Sequence, residues 1–332
     1  MLPSALVPLL CLWLPFASAW GSLGHRTVAY LASMYFTTPS TVMTNHLLNG
    51  QDISEAALFA DKVRHMPQFA WSAGWHYIDA RDDPPRYCGI NMTRDCGHVS
   101  GDSDNDPSGG CVVTAIANHT RRVADLSLPP YYRGQSLRFM MHFFGDVHQP
   151  LHTEAEDRGG NEYAVVFDGK ATNLHSVWDT LIPNKQAART SHNHDDNEMQ
   201  AARTNREGDE MLAARTNHQD DEMLAAWEWA RALYDDHEDQ FQSQSHPLDH
   251  ECLTDSTRCA LQWATEANAH VCSYVLAKDV HGQDLGGEYY EGAVPIINDM
   301  VAKAGRRLAA WINSISESAK DDGTETLLRA QT

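Results

Sequence analysis

The chain has 332 residues, of which 42% are hydrophobic and 21% charged, so it can build one large globular domain or two small ones. Its formal net charge of -20 argues against a basic groove that would grip nucleic acid by phosphate neutralisation alone. This charge does not exclude a phosphate ligand, because bound cations can invert the local field.

Residues 1–19 have the pattern of a secretory signal peptide. Residues 2–16 form an apolar run and Ala17-Ser18-Ala19 offers small residues for cleavage, although no basic residue precedes the run. The run is too short for a membrane span, so we predict a mature chain that begins at Trp20, with an uncleaved anchor as the alternative. No later segment is long and apolar enough to span a bilayer. The sequence therefore predicts a secreted protein, monomeric and without stable membrane association.

The start of the mature chain is predicted to form three helices. They are predicted over residues 24–36, from Pro39 to the closing Gly50, and over residues 53–65. Asp61 and Arg64 lie three residues apart on the third helix, so both side chains could face one ligand. A surface ion pair is the alternative explanation of this spacing.

An aromatic segment and a loop come next. Residues 71–79 include His76, Tyr77 and Asp79, in a setting that is more often core than ligand platform. Residues 81–110 are rich in Asp, Pro, Gly and Ser and are predicted to form a loop.

Six cysteines remain after removal of the signal peptide, which in an exported chain predicts three disulfides. Short separations favour Cys96–Cys111 and Cys252–Cys259, and Cys88–Cys272 is then left to join distant parts. Zinc–thiolate binding is the alternative, but the spacings lack a paired C-x-x-C pattern. Sequons for N-glycosylation begin at Asn91 and Asn118, which fits export.

The segment 138–152 carries the strongest chemical signal. It is apolar nearly all round, which predicts a buried helix that stops before Pro150. His142 and Asp146 lie four residues apart and share one face, and Gly145 removes a side chain between them. A buried carboxylate and imidazole are costly unless they are hydrogen-bonded, paired or bound to metal. A metal site is favoured over a satisfied polar core.

A second pair, His175 and Asp179, repeats the same spacing. Beyond the helix break, His152 can return toward the Asp146 face, whereas His148 points away from it. Imidazole and carboxylate ligands together suit zinc better than calcium or magnesium. The sequence therefore predicts a zinc centre with several ions.

A β-hairpin precedes the second pair. Residues 162–167 have strand character, Asp168-Gly169 supplies the turn, and the returning strand leads to His175.

Residues 187–224 form an internal repeat. The unit 201–212 recurs as 213–224, and a looser copy occupies 187–200. Such short polar units cannot build a solenoid core, so we predict a surface insertion, disordered or fraying as helix. A metal-buffering protein would use the histidines of this segment, His192, His194 and His218.

The other predicted helices cover residues 112–125, 227–234, 259–280 and 287–315, and residues 319–332 form a polar tail. Nothing marks a boundary between two cores. We predict one mainly α-helical domain over residues 20–318, with one small β-hairpin.

The central motif occurs together with Trp20–His25, Asp61, Trp75-His76 and Asn173–Thr180, in that order along nearly the whole mature chain. In these motifs the chain resembles the secreted zinc-dependent class I nucleases, which are single-strand nucleases with 3′-nucleotidase activity related to bacterial zinc phospholipase C. The resemblance implies an α-helical fold with three zinc ions in a cleft. It also implies single-stranded RNA, DNA and 3′-nucleotides as substrates and 5′-phosphorylated products.

Carried over to this chain, the resemblance implies three ligand sets. The first zinc would take Asp61, His76, His142 and Asp146, the second the amino group and carbonyl oxygen of Trp20 with His25 and Asp146, and the third His152, His175 and Asp179. Asp61 and Asp146 would thereby be catalytic as well as ligating.

Four further roles follow from the same resemblance. Arg64 would donate to the charge that develops on the phosphoryl oxygens. Tyr77 would stack on a base, and Asp79 and Asn161 would complete the base pocket. Two other functions compete with this hypothesis: a zinc phospholipase C, which needs nearly the same ligands, and a secreted metal-binding protein without catalysis.

Overall fold

The computed structural model describes residues 20–97, 109–194, 210–243, 252 and 254–321. The predicted signal peptide and the polar tail from residue 322 lie outside the described residues. In the described part, the helices are α1 (Ser22–Met34), α2 (Thr38–Leu48), α3 (Ile53–Ala57), α4 (Phe59–Val63), α5 (Met92–Asp95), α6 (Val112–Ala124), α7 (Pro130–Asp146), α8 (Asp157–Gly160), α9 (Leu174–Ser176), α10 (Ile182–His194), α11 (Glu210–Ser243), α12 (Ser256–His270) and α13 (Glu288–Asp321). The chain is one mainly α-helical domain, as predicted.

The central helix α7 is buried along most of its length. It begins at Pro130, whose fixed φ suits the first helical position, so the two prolines at 129–130 open the helix. Its last two turns, from Phe139 to Asp146, are buried on every side. The helix packs against α2, α6 and α13, which places its polar residues deep in the core.

The predicted helix over residues 53–65 is two helices. Asp52 caps α3 by accepting hydrogen bonds from the backbone N–H groups of Ser54 and Glu55. At Leu58 the backbone has φ -86° and ψ 0°, which interrupts the helix before α4. Asp61 consequently sits on a short helix separate from α3, and Arg64 caps the C-terminus of that helix.

The predicted hairpin is confirmed as β1 (Ala164–Phe167) and β2 (Lys170–Asn173), paired antiparallel. Asp168 and Gly169 both have positive φ, 47° and 78°, as a two-residue turn of this kind requires. The Asp284 carboxylate accepts from both turn amides and so fixes the hairpin to the segment before α13.

Three disulfides join the described cysteines in the pairs that the sequence separations favoured. Cys96–Cys111 and Cys252–Cys259 close short segments, and Cys88–Cys272 joins residues 184 positions apart. The predicted loop is described only in part, because residues 98–108 lie outside the described residues. Among the residues described, no helix combines the length and apolarity that crossing a bilayer requires.

The predicted surface insertion touches the core at its C-terminal end. Its central residues, 195–209, lie outside the described part, and so do the side chains of His192, His194 and His218. The second repeat unit is helical within α11. Glu222 accepts a hydrogen bond from Arg26 at 3.0 Å, and Arg26, only 4% exposed, also bonds Ser54 and Glu55. One end of the repeat therefore supplies a counter-charge to a buried arginine on α1.

We expect Glu222→Gln to lower the free energy of unfolding by about 1 kcal/mol, because a partly buried charged hydrogen bond is weakened while Arg26 stays buried. The neighbouring exposed Asp221 offers a matched control, since Asp221→Asn removes the same charge without touching Arg26. Urea denaturation of both variants measures the difference. Equal stabilities would show that this end of the repeat does not stabilise the core.

Candidate metal centre

Four elements bring imidazoles and carboxylates together in the core. His25 comes from α1, Asp61 from α4, His76 from the end of a 3₁₀ segment (Pro67–His76), and His142 and Asp146 from α7. The side chains of His25, His76, His142 and Asp146 are at most 1% exposed. The ring of His25 stacks on that of His142, with centroids 3.8 Å apart.

Asp146 is the common partner in this cluster. Its Oδ1 lies 3.3 Å from His25 Nε2, and its Oδ2 lies 3.0 Å from His76 Nδ1 and 3.4 Å from His142 Nε2. Asp61 Oδ1 approaches His142 Nε2 at 3.6 Å and His76 Nδ1 at 3.8 Å. The two oxygens of one carboxylate thus face two different sets of imidazoles.

A second group lies beside the first. His175 Nε2 is 2.9 Å from Asp179 Oδ2, and His152 Nε2 is 3.8 Å from Asp179 Oδ1. His175 belongs to α9 and Asp179 to a π-helical turn (Val177–Leu181), so their four-residue spacing keeps them adjacent across a change in helix type. His152 Nδ1 also lies 3.9 Å from Asp146 Oδ1, which links the two groups.

Backbone carbonyls orient three of these imidazoles. The Nδ1 atoms of His142, His152 and His175 lie 2.7, 2.8 and 2.6 Å from the carbonyl oxygens of Ala57, His76 and Gly159, respectively. With Nδ1–H donating to a carbonyl, Nε2 is left as the lone-pair atom that faces the cluster. A backbone acceptor on the far nitrogen is a common companion of metal-ligating histidines.

Burial controls the charge state of the cluster. Burial holds the pKa values of His25, His76 and His142 below the ordinary histidine range, so these rings are neutral and can offer a lone pair. Burial also raises the pKa of Asp146 well above its usual range, with the Asp61 charge adding to the rise. The nearby Arg64 charge opposes this rise without cancelling it, so an anionic Asp146 calls for further positive charge.

In the His175–Asp179 pair, by contrast, the charged forms of both groups are favoured. Burial opposes charge on both groups, but the adjacent histidines His175 and His152 hold the pKa of Asp179 at about 2. The reciprocal attraction raises the pKa of His175. The two groups therefore form an ion pair. A metal cation could take the place of the imidazole proton and bind both side chains.

The arrangement passes a simple test for a metal centre. Both ring nitrogens of His25, Nε2 of His152 and Oδ1 of Asp146 are buried and make no hydrogen bond within the part of the chain that the structure describes. Three sets of ligand atoms at this centre lie mutually within 4.8 Å: His25–Asp61–His142, His76–His142–Asp146 and His152–His175–Asp179. Nitrogen and carboxylate oxygen at these positions are the donor set of zinc.

Gly145 makes the close packing of this centre possible. A Cβ at position 145 would lie 2.6 Å from His25 Nδ1 and 3.6 Å from Trp20 Cδ1. The indole of Trp20 therefore packs beside His25, and Trp20 is fully buried. The backbone N–H of the next residue, Gly21, donates to Asp179 O at 2.7 Å, which fixes the start of the described chain against the second group.

An open cavity of about 410 Å³ adjoins the cluster. Its lining includes His152 and His175 together with four residues singled out from the sequence, Arg64, Tyr77, Asp79 and Asn161. Arg64 Nη1 lies 3.5 Å from Asp61 Oδ1, so it stands next to the metal-ligand candidates. The Asn161 Nδ2 group donates to Arg158 O at 2.8 Å.

His148 lies outside the ligand set, as its position in the sequence predicts. Its Nδ1 lies 2.7 Å from Phe144 O and its Nε2 lies 2.8 Å from Arg307 Nη1. With Nδ1–H donating to the carbonyl and Nε2 accepting from the guanidinium, neither ring nitrogen remains for a metal. Arg307 is in turn paired with Glu266 at 2.6 Å.

Sequence reasoning missed Gln149. This fully buried side chain donates from Nε2 to Asp179 Oδ1 and accepts the backbone N–H of Leu151 at Oε1. It therefore orients a carboxylate of the second group while it caps the turn that carries His152. A polar residue between the buried helix and Pro150 was the available signal.

The chain is similar in sequence to known nucleases over most of its length. The model of the S1/P1 nuclease family matches residues 20–317. The chain is 35% identical to nuclease P1 of Penicillium citrinum over 311 residues, which cover 91% of this chain and all of that protein. It is 32% identical to nuclease S1 of Aspergillus oryzae over 304 residues, covering 90% of this chain and 92% of that protein. Endonuclease 4 of Arabidopsis thaliana is 29% identical over 315 residues, 91% of each chain.

Gly145→Ala should reduce the number of divalent metal ions bound per chain, because the added methyl group cannot fit unless the His25 ring moves. Metal content after dialysis, measured by mass spectrometry, reports the loss, and circular dichroism reports the fold. Gly287→Ala is the matched control, since a Cβ there meets nothing within 4 Å. Full metal content in the Gly145 variant would contradict a ligand role for His25.

Proposed function

The chain belongs to the S1/P1 nuclease family, whose members are zinc-dependent nucleases, and we propose that it hydrolyses single-stranded RNA, DNA and 3′-nucleotides at three zinc ions. The observation that carries the proposal is the shared Asp146 carboxylate, which faces His25 with one oxygen and His76 and His142 with the other. A single-ion site would have no use for two ligand sets around one buried carboxylate.

Nine residues divide among the three ions in our proposal. The first ion would be held by Asp61, His76, His142 and Asp146, the second by the amino group and carbonyl oxygen of Trp20 with His25 and Asp146, and the third by His152, His175 and Asp179. The groupings His76–His142–Asp146 and His152–His175–Asp179 support the first and third sets, and the 3.3 Å approach of His25 Nε2 to Asp146 Oδ1 supports the second.

The centre is suited to a phosphodiester because of its charge. Three dications outweigh the carboxylates of Asp61, Asp146 and Asp179, which leaves a local positive surplus in an acidic protein. When bound, zinc lowers the pKa of a water that serves as the nucleophile and stabilises the departing 3′ oxygen. Arg64, beside Asp61 on the cavity wall, donates to the phosphoryl oxygens as negative charge builds on them. The products are 5′-phosphorylated fragments from nucleic acid, and nucleoside and phosphate from a 3′-nucleotide.

Selection of single strands falls to the other residues of the cavity. The Tyr77 ring, 36% exposed, offers a face on which an unstacked base can lie, and a paired base cannot reach it without leaving its helix. Asp79 binds the edge of the base through its carboxyl group. Because the Asn161 Nδ2 group is engaged by Arg158 O, base contact from Asn161 comes from its side-chain carbonyl.

The proposal is tested by digestion of single-stranded RNA, single-stranded DNA, duplex DNA and adenosine 3′-monophosphate, with identification of the product ends. We expect cleavage of all but the duplex, with 5′-phosphate ends from RNA and DNA, adenosine and phosphate from the mononucleotide, and three zinc ions per chain. Asp146→Asn weakens both ligand sets that share this carboxylate and should abolish turnover. Hydrolysis of phosphatidylcholine without cleavage of nucleic acid would instead identify a phospholipase C, and three bound ions without any hydrolysis would identify a metal-binding protein.

We further propose that the protein is secreted as a monomer after loss of residues 1–19, with glycans at Asn91 and Asn118. The three disulfides support an oxidising compartment. Asn91 is exposed at the start of α5, whereas Asn118 is half-buried on α6 and its sequon partner Thr120 accepts a hydrogen bond from Trp311. Glycosylation at Asn91 is the better supported of the two.

Cleavage before Trp20 should complete the metal centre. An amide nitrogen at Trp20 is a poor ligand, whereas an α-amino group with a reference pKa of about 7.7–8.0 can lose its proton to zinc. A mature chain with one extra Gly before Trp20 should therefore bind one zinc fewer and lose most nuclease activity while keeping its fold. Metal content, turnover and circular dichroism of the extended and unextended chains provide the comparison. Three zinc ions and an unchanged rate in the extended chain would eliminate the amine as a ligand.

A further inference from the structure

Two arginines on the cavity wall have no part in the centre described so far. Arg81 and Arg158 line the cavity together with Tyr77 and Asp79, and both arginine side chains are exposed. Burial raises the pKa of Asp79, and the positive charges of Arg81 and Arg158 oppose that rise. Both charges therefore act at the part of the cavity where Asp79 lies, whereas Arg64 lies beside Asp61.

Backbone hydrogen bonds bring the two arginines to one edge. The N–H of Ala155 donates to Ala80 O at 3.1 Å, and the N–H of Arg158 donates to Ala155 O at 3.0 Å. Arg81 follows Ala80 directly, so two segments remote in sequence present a guanidinium at the same rim. The backbone N–H of Arg81 also donates to Asp95 Oδ1 at 3.2 Å, which fixes its main chain.

The segment that carries Arg158 is rigid and strained. Arg158 has φ 56° and ψ 53°, a left-handed conformation that costs energy for any residue with a Cβ. The next carbonyl, Gly159 O, accepts from His175 Nδ1 at 2.6 Å, so the turn is tied directly to a zinc-ligand candidate. The side chain of Arg158 forms an ion pair with Glu162 at 3.2 Å, and both partners are well exposed. Such an exposed pair is weak and can yield to a stronger anion.

We propose that Arg81 and Arg158 form a second phosphate subsite, which binds the 5′-phosphate of the nucleotide whose 3′-phosphate enters the metal centre. The inference rests on the proposed function. With the base at Tyr77 and Asp79 and the 3′-phosphate at the zinc ligands, the 5′-phosphate is the remaining charged group of the nucleotide. Guanidinium groups match phosphate oxygens in two-point geometry. The preferred substrates are internal positions of a polynucleotide and nucleoside 3′,5′-bisphosphates, ahead of nucleoside 3′-monophosphates.

The subsite is tested by comparing adenosine 3′,5′-bisphosphate with adenosine 3′-monophosphate, both as substrates for release of the 3′-phosphate. At low salt the parent should favour the bisphosphate by roughly three- to tenfold in kcat/KM, since two exposed charge contacts are gained. The preference should appear in KM and should shrink as ionic strength rises. In the Arg81→Gln, Arg158→Gln double variant the ratio should fall to about one.

Two further variants separate the subsite from general effects of charge. Arg86→Gln removes an exposed arginine of the same loop that pairs with Asp83 outside the cavity lining, and it should leave the ratio unchanged. Arg158→Lys keeps the charge and should retain most of the preference. A parent ratio of about one, or a preference that survives in the double variant, would overturn the subsite. Failure of the proposed function gives a different result, since the parent would then release phosphate from neither substrate, and the subsite would fall with it.

Discussion

The carboxylate of Asp146, fully buried beside three imidazoles, is the constraint around which the fold is arranged. A buried anion of this kind is unfavourable unless it is compensated, and burial accordingly raises its pKa. The surrounding rings are themselves neutral, because burial lowers their pKa values. Metal cations resolve both problems at once: they stabilise the anion and use the lone pairs of the rings. The need to compensate the buried carboxylate is thus a physical basis for metal binding at this centre.

The framework around the centre limits how its groups can move. Carbonyl oxygens of Ala57, His76 and Gly159 each fix the far nitrogen of an imidazole, and each comes from a different segment of the chain. Gln149 adds a contact to Asp179 from the turn after the central helix. Ligand groups that are held in place in this way need little rearrangement when they bind a metal ion. The close contact at Gly145 has the same effect, because it leaves the His25 ring little freedom to turn away.

An acidic protein can bind a polyanionic substrate when its positive charge is concentrated in one cavity. In the function that we propose, the metal ions supply most of that charge, and Arg64 adds to it beside Asp61 on the cavity wall. Arg81 and Arg158 extend the positive surface along the cavity toward the part occupied by Asp79. The net charge of -20 disfavours non-specific binding of nucleic acid to the rest of the protein.

The chain's sequence alone was enough to predict the helical class, the hairpin turn at Asp168-Gly169 and the two His/Asp pairs. These features depend on periodicity and on residues a few positions apart, which local geometry fixes. The tertiary structure alone decided how the pairs join. His25 reaches Asp146 across 121 positions only because α1 lies against α7, and Arg81 and Arg158 line one cavity because the Ala155 N–H donates to Ala80 O. The contact of Glu222 with Arg26 belongs to the same class, since no local pattern marks a surface repeat as the partner of a buried arginine. Long-range pairings depend on how whole helices pack, and a one-dimensional pattern does not carry that information.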